Sequence, residues 1–192
     1  HLLTDLNGNT LDLYDADGKV KYLWPRLMQM HKSGRHGFQL FENGMVMASG
    51  YAGYGLWGNG TTWDLNAAAM GVAFYDDSGA RLTGANHPKI KMMEFSNAHN
   101  FSGDNSDYYS TRCIDTNGKL YTWGYNGYGQ LGDNSTSTNY YAKQMPMSRV
   151  GNEKIIYICS SGYYYTSVYA ITESGKLWAW GRNGNGQLGL GN

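Results

Sequence analysis

Three short segments of the chain are apolar or small at most of their positions. They are residues 45–49, 119–123 and 176–180. Successive side chains of a strand point to opposite faces, and here both faces are apolar or small, with Leu120 on one and Tyr121 on the other. A strand with two such faces belongs to a sheet that is covered on both sides. The pattern therefore predicts short strands that are buried on both faces.

Each of these segments lies inside a longer repeat. The copies read NGMVMASGYAGYGLWG from Asn43, NGKLYTWGYNGYGQLG from Asn117 and SGKLWAWGRNGNGQLG from Ser174. Self-similarity of this kind is the signature of repeat architectures. Small sheets stacked face to face around an axis give every blade two buried faces and few open edges. The predicted fold is all-β, a β-propeller of four-stranded antiparallel blades.

The end of each copy also fits G-x-G-x-x-G, as in GNGQLG at residues 184–189. That pattern is a dinucleotide-binding fingerprint only where a strand precedes it and a helix follows. The residues after Gly132, DNSTSTNYYAK, have no helical period. We therefore interpret the motif as a blade corner and expect no nucleotide or other cofactor.

The flanking strands divide the chain into units. Residues 1–23 are a lead-in with the outer strand of a preceding blade, 24–88 the first blade, 89–152 the second, and 153–192 a third that lacks its outer strand. The outer strand of the first blade is expected in MGVAFYDDSG, residues 70–79. Propeller rings have 4–8 blades. With about three, the chain is expected to be part of a longer array.

Composition and charge exclude several classes of protein. Lysine plus arginine (15) balances aspartate plus glutamate (15), so no net charge draws the chain to nucleic acid. No apolar run approaches the ~20 residues of a membrane span, so no membrane insertion is expected. None of the five histidines has metal-ligand spacing, so no metal site is predicted. Cys113 and Cys159 are expected to be buried small apolar side chains. Without a catalytic constellation, the chain is predicted not to be an enzyme.

The second and third copies, with their flanks DTNGKLYTWGYNGYGQLGD and TESGKLWAWGRNGNGQLGLG, closely resemble the repeat of the regulator of chromosome condensation family. The resemblance covers roughly residues 24–192 and implies a seven-bladed propeller in the full protein. The first copy departs from the family pattern, with Ser49 in place of the tryptophan and Ala52 in place of the asparagine. The resemblance implies a structural role for Gly50, Gly124, Trp123, Gln130, Gly181, Trp180 and Gln187.

A fold does not name a function. The resemblance points to nucleotide exchange on a small GTPase with chromatin binding, to light sensing, to secreted inhibitors and to phage or bacterial surface proteins. Exchange in the founding member depends on loops and a wedge outside the repeat core, and chromatin binding on a basic tail. No stretch of this chain can be matched to either, so no functional residue is carried over.

The loops between the first two strands of successive blades are rich in tyrosine. SGDNSDYYST at 102–111 and SSGYYYTS at 160–167 combine it with Ser, Asn and Gly, the composition of protein paratopes. Loops at the same point of adjacent blades should lie side by side. The alternative is that some tyrosines pack between blades, above all Tyr165 and Tyr169. The residues expected to line a recognition surface are Tyr108, Tyr109, Tyr163 and Tyr164.

Two functions follow from these patterns. The favoured one is a non-enzymatic recognition or structural module that binds a protein or a cell-surface glycan, as in a phage tail fibre or a bacterial surface adhesin. Its neutral charge and polar, tyrosine-rich loops favour an extracellular or virion-associated location, which the sequence does not fix, and fit a homo-oligomer or larger assembly. The alternative is a regulatory partner of a small GTPase that resembles a guanine-nucleotide exchange factor.

Overall fold

The computed structural model describes residues 27–33, 36–50, 55–61, 70–96, 109–161 and 166–191. The described part of the chain consists of short strands in three sheets, with 3-10 turns at Gly84–Asn86 and Met147–Val150. None of its segments is a helix long and apolar enough to cross a membrane. The predicted lead-in, residues 1–23, lies outside the described residues.

The first sheet is a four-stranded antiparallel blade. Its strands follow in chain order as β1 (Leu27–Ser33), β2 (His36–Phe41), β3 (Val46–Gly50) and β4 (Met70–Gly71). Antiparallel neighbours need only short connections, and a turn at Glu42–Gly44 joins β2 to β3. The predicted blade architecture is confirmed here.

The second sheet has five strands. The short strand β5 (Phe74–Tyr75) lies outside a second antiparallel blade made of β6 (Ile90–Phe95), β7 (Ser110–Asp115), β8 (Leu120–Gly124) and β9 (Asn139–Gln144). β5 pairs in parallel with β9. The third sheet contains β10 (Ile155–Ser161), β11 (Ser167–Thr172) and β12 (Leu177–Gly181).

The outer strand of the first blade is shorter than the segment in which it is expected, residues 70–79. Only Met70 and Gly71 pair with β3. The chain then crosses to the second blade, where Phe74 pairs with Ala142. The amide of Ala142 donates to the carbonyl of Ala73 (3.2 Å), which links the end of one blade to the edge of the next. The segment is therefore shared between two sheets.

Two apolar clusters join the three sheets. The cluster between the first and second blades, called the first seam, includes Leu40, Val46, Trp57, Phe74 and Met93. The cluster between the second and third blades, called the second seam, consists of Ile114, Leu120, Met145, Val150, Ile155, Ile158, Val168 and Ala170.

The position of a blade decides how far its strands are buried. All five residues of β8 are buried, because the second blade is covered on both faces. The corresponding strand β12 is half-buried, with Leu177 exposed. The prediction of strands with two buried faces thus holds for the middle blade.

Candidate recognition face and the blade seams

The repeated glycines lie where the third strand of each blade ends. Gly50, Gly124 and Gly181 have φ of 90°, 97° and 97°, in the left-handed region that side chains avoid. A Cβ on Gly124 would collide with the carbonyl oxygen of Tyr109, and one on Gly181 with that of Thr166. The sharp exit from the strand therefore requires glycine at both positions.

The tryptophans of the repeat bridge successive blades. Nε1 of Trp123 donates to the carbonyl of Leu56 in the preceding blade (2.7 Å), and Nε1 of Trp180 donates to that of Gln130 (3.1 Å). Leu56 and Gln130 occupy the same place in their repeats. Equivalent hydrogen bonds therefore link the neighbouring blades at both seams.

The glutamine of the motif closes the corner itself. Oε1 of Gln130 accepts from the amide of Tyr128 (2.9 Å), and Oε1 of Gln187 accepts from that of Asn185 (2.8 Å). The side-chain oxygen of each glutamine thus binds within its own turn. At Gln130 the backbone carbonyl faces the next blade and accepts from Trp180.

An asparagine holds the same corner, a role that sequence reasoning did not single out. Oδ1 of Asn126 accepts from the amide of Leu131 (2.9 Å). The equivalent bond joins Asn183 and Leu188 at 2.9 Å. Asn126 is fully buried. The signal was present in the sequence, since Asn126 and Asn183 match in the repeat.

The predicted tyrosine surface is only partly within the described chain. Tyr108, Tyr163 and Tyr164 lie outside the described residues. Tyr109 is 1% exposed and packs in the first seam. The expectation that Tyr109 lines an exposed surface is therefore wrong, because it directly precedes β7 and its ring is taken up by the contact between blades.

The strands that precede the two tyrosine-rich segments are joined by a carboxylate. Oε1 of Glu94, near the end of β6, accepts from the amide (3.3 Å) and the hydroxyl (2.9 Å) of Ser160, near the end of β10. β6 ends at Phe95 and β10 at Ser161, shortly before the tyrosine-rich segments 97–108 and 162–165 in the sequence. The two strands that precede these segments therefore end side by side.

A buried arginine lies in β7. Arg112 is 0% exposed, and its Nη2 donates to the Ser110 hydroxyl at 2.5 Å, while Nε and Nη1 have no hydrogen-bond partner among the described residues. Burial lowers the pKa of Arg112 to about 10, and the nearby Glu94 carboxylate partly opposes that shift. The burial of this charge is not predicted, because β7 reads STRCID, a polar pattern that does not by itself indicate a strand buried on both faces.

The two cysteines differ in burial. Cys113 is buried, as predicted, whereas Cys159 was expected to be buried and is only half-buried. Burial raises the pKa of both thiols, and the thiolate is the nucleophilic form. The described residues also contain no group of three or more His, Cys, Asp or Glu side chains that could hold a metal ion.

Fold and corner geometry together define a class of protein, a β-propeller built from sequence repeats. Models of the regulator of chromosome condensation (RCC1) repeat match residues 117–168 and 160–187. Residues 117–187 are therefore RCC1-like repeats, and the fold is that of an RCC1-like β-propeller.

Several curated proteins are similar to parts of this chain. RCC1 domain-containing protein RUG3, mitochondrial, from Arabidopsis thaliana is 34% identical over 43% of the chain and 17% of its own length. The ultraviolet-B receptor UVR8 of the same plant is 36% identical over 42% of the chain and 17% of its own length. The human E3 ubiquitin-protein ligase HERC2 is 30% identical over 84% of the chain but only 3% of its own length. The chain thus spans a small part of each.

Solved structures share the fold. Human WBSCR16 aligns with a TM-score of 0.58 and 18% identity, over 81% of this chain and 33% of its own. Prp20p from Saccharomyces cerevisiae aligns with a TM-score of 0.58 and 16% identity, over 90% of this chain and 38% of its own. Both alignments cover about a third of a larger chain.

Proposed function

We propose that this chain is a non-enzymatic recognition module that binds a protein through its tyrosine-rich segments 97–108 and 162–165. The observation that supports the proposal is the pair of hydrogen bonds from Ser160 to Glu94, which joins β10 and β6, the strands that precede the two segments. Tyrosine among small polar residues gives rigid amphipathic contact area next to adaptable hydrogen-bonding groups. The residues proposed to contact the partner are Tyr108, Tyr163 and Tyr164.

Proteins of the same fold support a protein partner. The structure of Prp20p is described with its binding properties to Gsp1p and histones, and a second structure shows the yeast protein bound to Kap60. A rigid scaffold that positions variable loops suits such binding, because loops can change without loss of the core. A cell-surface glycan is the second ligand we propose, since aromatic faces also suit sugar rings.

The biological setting that we propose is the surface of a virion or a bacterium, in a tail fibre or an adhesin. Its support is compositional: charges that balance, 15 against 15, and loops rich in Tyr, Asn, Ser and Gly. Regulation of a small GTPase is the competing function, and the fold shared with Prp20p supports it.

The proposal is tested by replacing Tyr108, Tyr163 and Tyr164 together with serine. Binding of the chain to bacterial cells, to a glycan array and to a protein library is measured before and after the change. We expect the binding affinity to fall at least about tenfold, because truncation of an aromatic residue at the centre of an interface lowers affinity more than truncation of most other interface residues. The matched control replaces Tyr140 and Tyr157, which are 40% and 49% exposed and belong to β9 and β10.

Three results decide between the alternatives. Loss of binding in the loop variant, with normal unfolding and an unaffected control, supports the tyrosine-rich segments as the binding site. Unchanged binding in the loop variant overturns the proposal. Faster nucleotide release from one member of a panel of small GTPases replaces the proposal with the exchange-factor function.

A further inference from the structure

A pocket of about 370 Å³ lies beside the hairpin that joins β7 to β8. Its lining includes Asp115, Asn117 and Lys119 of the hairpin, and Pro88 and Lys89 of the segment that leads into β6. The tyrosine-rich segment of this blade precedes β7 in the sequence, whereas the hairpin follows β7. The pocket is therefore separate from the binding residues proposed above.

The hairpin of the third blade aligns with this one without a gap, and Lys176 corresponds to Lys119. In the third blade the ammonium group of Lys176 and the hydroxyl of Ser174 both donate hydrogen bonds to the carboxylate of Glu153. These two contacts lower the pKa of Glu153 to about 2, so its carboxylate is charged at neutral pH. A hairpin of this kind thus binds a carboxylate beside its lysine.

The second blade has Pro88 in the place of that glutamate. The following residues, Lys89 and Lys154, are equivalent because they make the same backbone contact. The carbonyl of Lys89 accepts from the amide of Thr116 (2.8 Å), and the carbonyl of Lys154 accepts from the amide of Glu173 (2.9 Å). Proline offers no carboxylate, so the hairpin lysine of the second blade lacks the partner that its equivalent has.

The second lysine of the pocket also lacks the acid that its equivalent has. In the third blade, Nζ of Lys154 lies 3.8 Å from Oε2 of Glu173. In the second blade, Thr116 takes the place of that glutamate. Neither Lys89 nor Lys119 forms a salt bridge with another described residue. Both blades thus have the two lysines, and only the third has the two glutamates.

The charges around the pocket leave one positive charge without a partner. Asp115 is the one acid among the described lining residues, and its Oδ1 accepts from the amides of Asn117 (2.9 Å) and Lys119 (2.8 Å). One aspartate against two lysines gives a net positive charge. We propose that this pocket binds a glutamate side chain of a partner protein, whose carboxylate takes the place that Glu153 takes in the third blade.

The rest of the lining favours an amino-acid side chain over an inorganic anion. Leu82 is partly buried and packs against the first seam, and Tyr121 is 2% exposed. These residues give the pocket an apolar wall that suits the methylene groups of a glutamate side chain. Thr116 and Asn117 are exposed, so the pocket opens at the surface of the described chain, where a partner can reach it.

The test is an NMR titration of the whole chain with N-acetyl-glutamate methylamide, followed at the backbone amides of Asn117 and Lys119. The comparison probes are the glutamine counterpart, propionate and inorganic phosphate. We expect saturable shifts with the glutamate probe and an affinity at least about threefold lower for the glutamine probe, because a solvent-accessible ion pair contributes modestly. Propionate and phosphate should also bind more weakly than the glutamate probe.

Two variants of the second blade remove the site in different ways. Lys119→Gln removes the charge, and Pro88→Glu supplies a carboxylate from the chain itself, as Glu153 does in the third blade. Each should lower the affinity for the glutamate probe at least about threefold. The matched control is Lys143→Gln in β9, since Lys143 does not line the pocket, and this variant should bind the probe as the unchanged chain does.

A variant of the third blade tests the equivalence of the two hairpins. Glu153→Ala removes the carboxylate that Lys176 and Ser174 bind. The amides of Ser174 and Lys176 should then shift on addition of the glutamate probe, whereas in the unchanged chain they should not. This result supports the inference even if Pro88→Glu does not fold.

Four outcomes overturn the inference. They are the absence of saturable shifts at Asn117 and Lys119, equal affinity for the glutamate and glutamine probes, no effect of Lys119→Gln, and propionate or phosphate binding as tightly as the glutamate probe. The last outcome would assign the pocket to free anions. The triple tyrosine variant should bind the glutamate probe as the unchanged chain does, so failure of this inference and failure of the proposed function can be told apart.

Discussion

The indole nitrogen of Trp123 donates a 2.7 Å hydrogen bond to the carbonyl of Leu56, 67 residues earlier in the chain. The indole is fully buried in the first seam. Because the bond joins a strand of one blade to the corner of another, it fixes how the two blades pack. Its equivalent, Trp180 to Gln130, does the same in the second seam at 3.1 Å.

Replacement of Trp123 with phenylalanine should destabilise the protein. The ring would still fill most of the space, but the buried carbonyl of Leu56 would lose its donor, at a cost of about 1 to 3 kcal/mol. Trp180→Phe should cost less, because Trp180 is half-buried and water can replace the lost bond. Urea unfolding of both variants checks the order. Equal losses of unfolding free energy in the two variants would contradict the stronger effect expected for the fully buried hydrogen bond of Trp123.

Alanine variants of two corner glycines distinguish the cost of backbone strain from the cost of steric crowding. Gly132 and Gly189 have nearly the same φ, 73° and 68°. A Cβ on Gly132 would lie 2.9 Å from Nε1 of Trp180, whereas one on Gly189 would meet nothing within 4 Å. Gly189→Ala should cost about 1 to 2 kcal/mol, from the left-handed conformation alone.

Gly132→Ala should cost a further 1 to 3 kcal/mol or so, because it forces the indole of Trp180 to move. Thermal and urea unfolding of the two variants provide the comparison. If both changes cost the same, the close approach of Trp180 carries no energetic weight.

His87 should make stability depend on pH below neutrality. Its Nδ1 lies 3.1 Å from the carbonyl oxygen of Pro88, and its ring stands edge-on to that of Phe74, with 5.2 Å between the ring centroids. Burial lowers the pKa of His87 below the usual 6.5. The unfolded chain therefore binds a proton at higher pH than the folded chain. The stabilising effect of neutral His87 is present above about pH 6.5 and is lost as the pH falls toward the lower folded pKa.

The variant His87→Gln tests this assignment, because glutamine does not titrate. Its free energy of unfolding should fall less than that of the unchanged chain between about pH 7 and pH 5.5. Urea unfolding across that range measures the difference. Parallel curves for the two proteins would assign the pH dependence to other groups.

The two thiols should react in a fixed order. Cys159 is half-buried and Cys113 is fully buried, and burial raises the pKa of each. In the folded protein a thiol reagent should modify Cys159 slowly and leave Cys113 unmodified. Peptide mapping after timed labelling identifies the site, and labelling in urea should reach both. Modification of Cys113 before unfolding would contradict the buried position.

Ungapped repeats made most of the fold predictable. The third strands were expected at 45–49, 119–123 and 176–180, and they occur one residue later at Val46–Gly50, Leu120–Gly124 and Leu177–Gly181. A strand period and a turn glycine are local signals, so a single sequence reveals them. The same signals led to the rejection of a nucleotide loop.

Other features had no local signal. The residues around Tyr109 have the composition of a binding loop, yet Tyr109 is buried in the first seam. Its burial depends on the neighbouring blade. The crossing of β5 to the second sheet depends on the free edge of β9. Arg112 is fully buried along with the rest of β7 in the middle blade, although arginine is rarely buried in proteins.

The sequence by itself determined the class of fold, the three blade corners and the absence of a net charge. These follow from period, glycine placement and composition, which are properties of neighbouring residues along the chain. Only the tertiary structure decided which tyrosine is buried, which strand crosses to the neighbouring sheet and which carboxylate joins β6 to β10. Those properties arise from contacts between residues far apart in sequence, such as Glu94 and Ser160, and no local pattern specifies them.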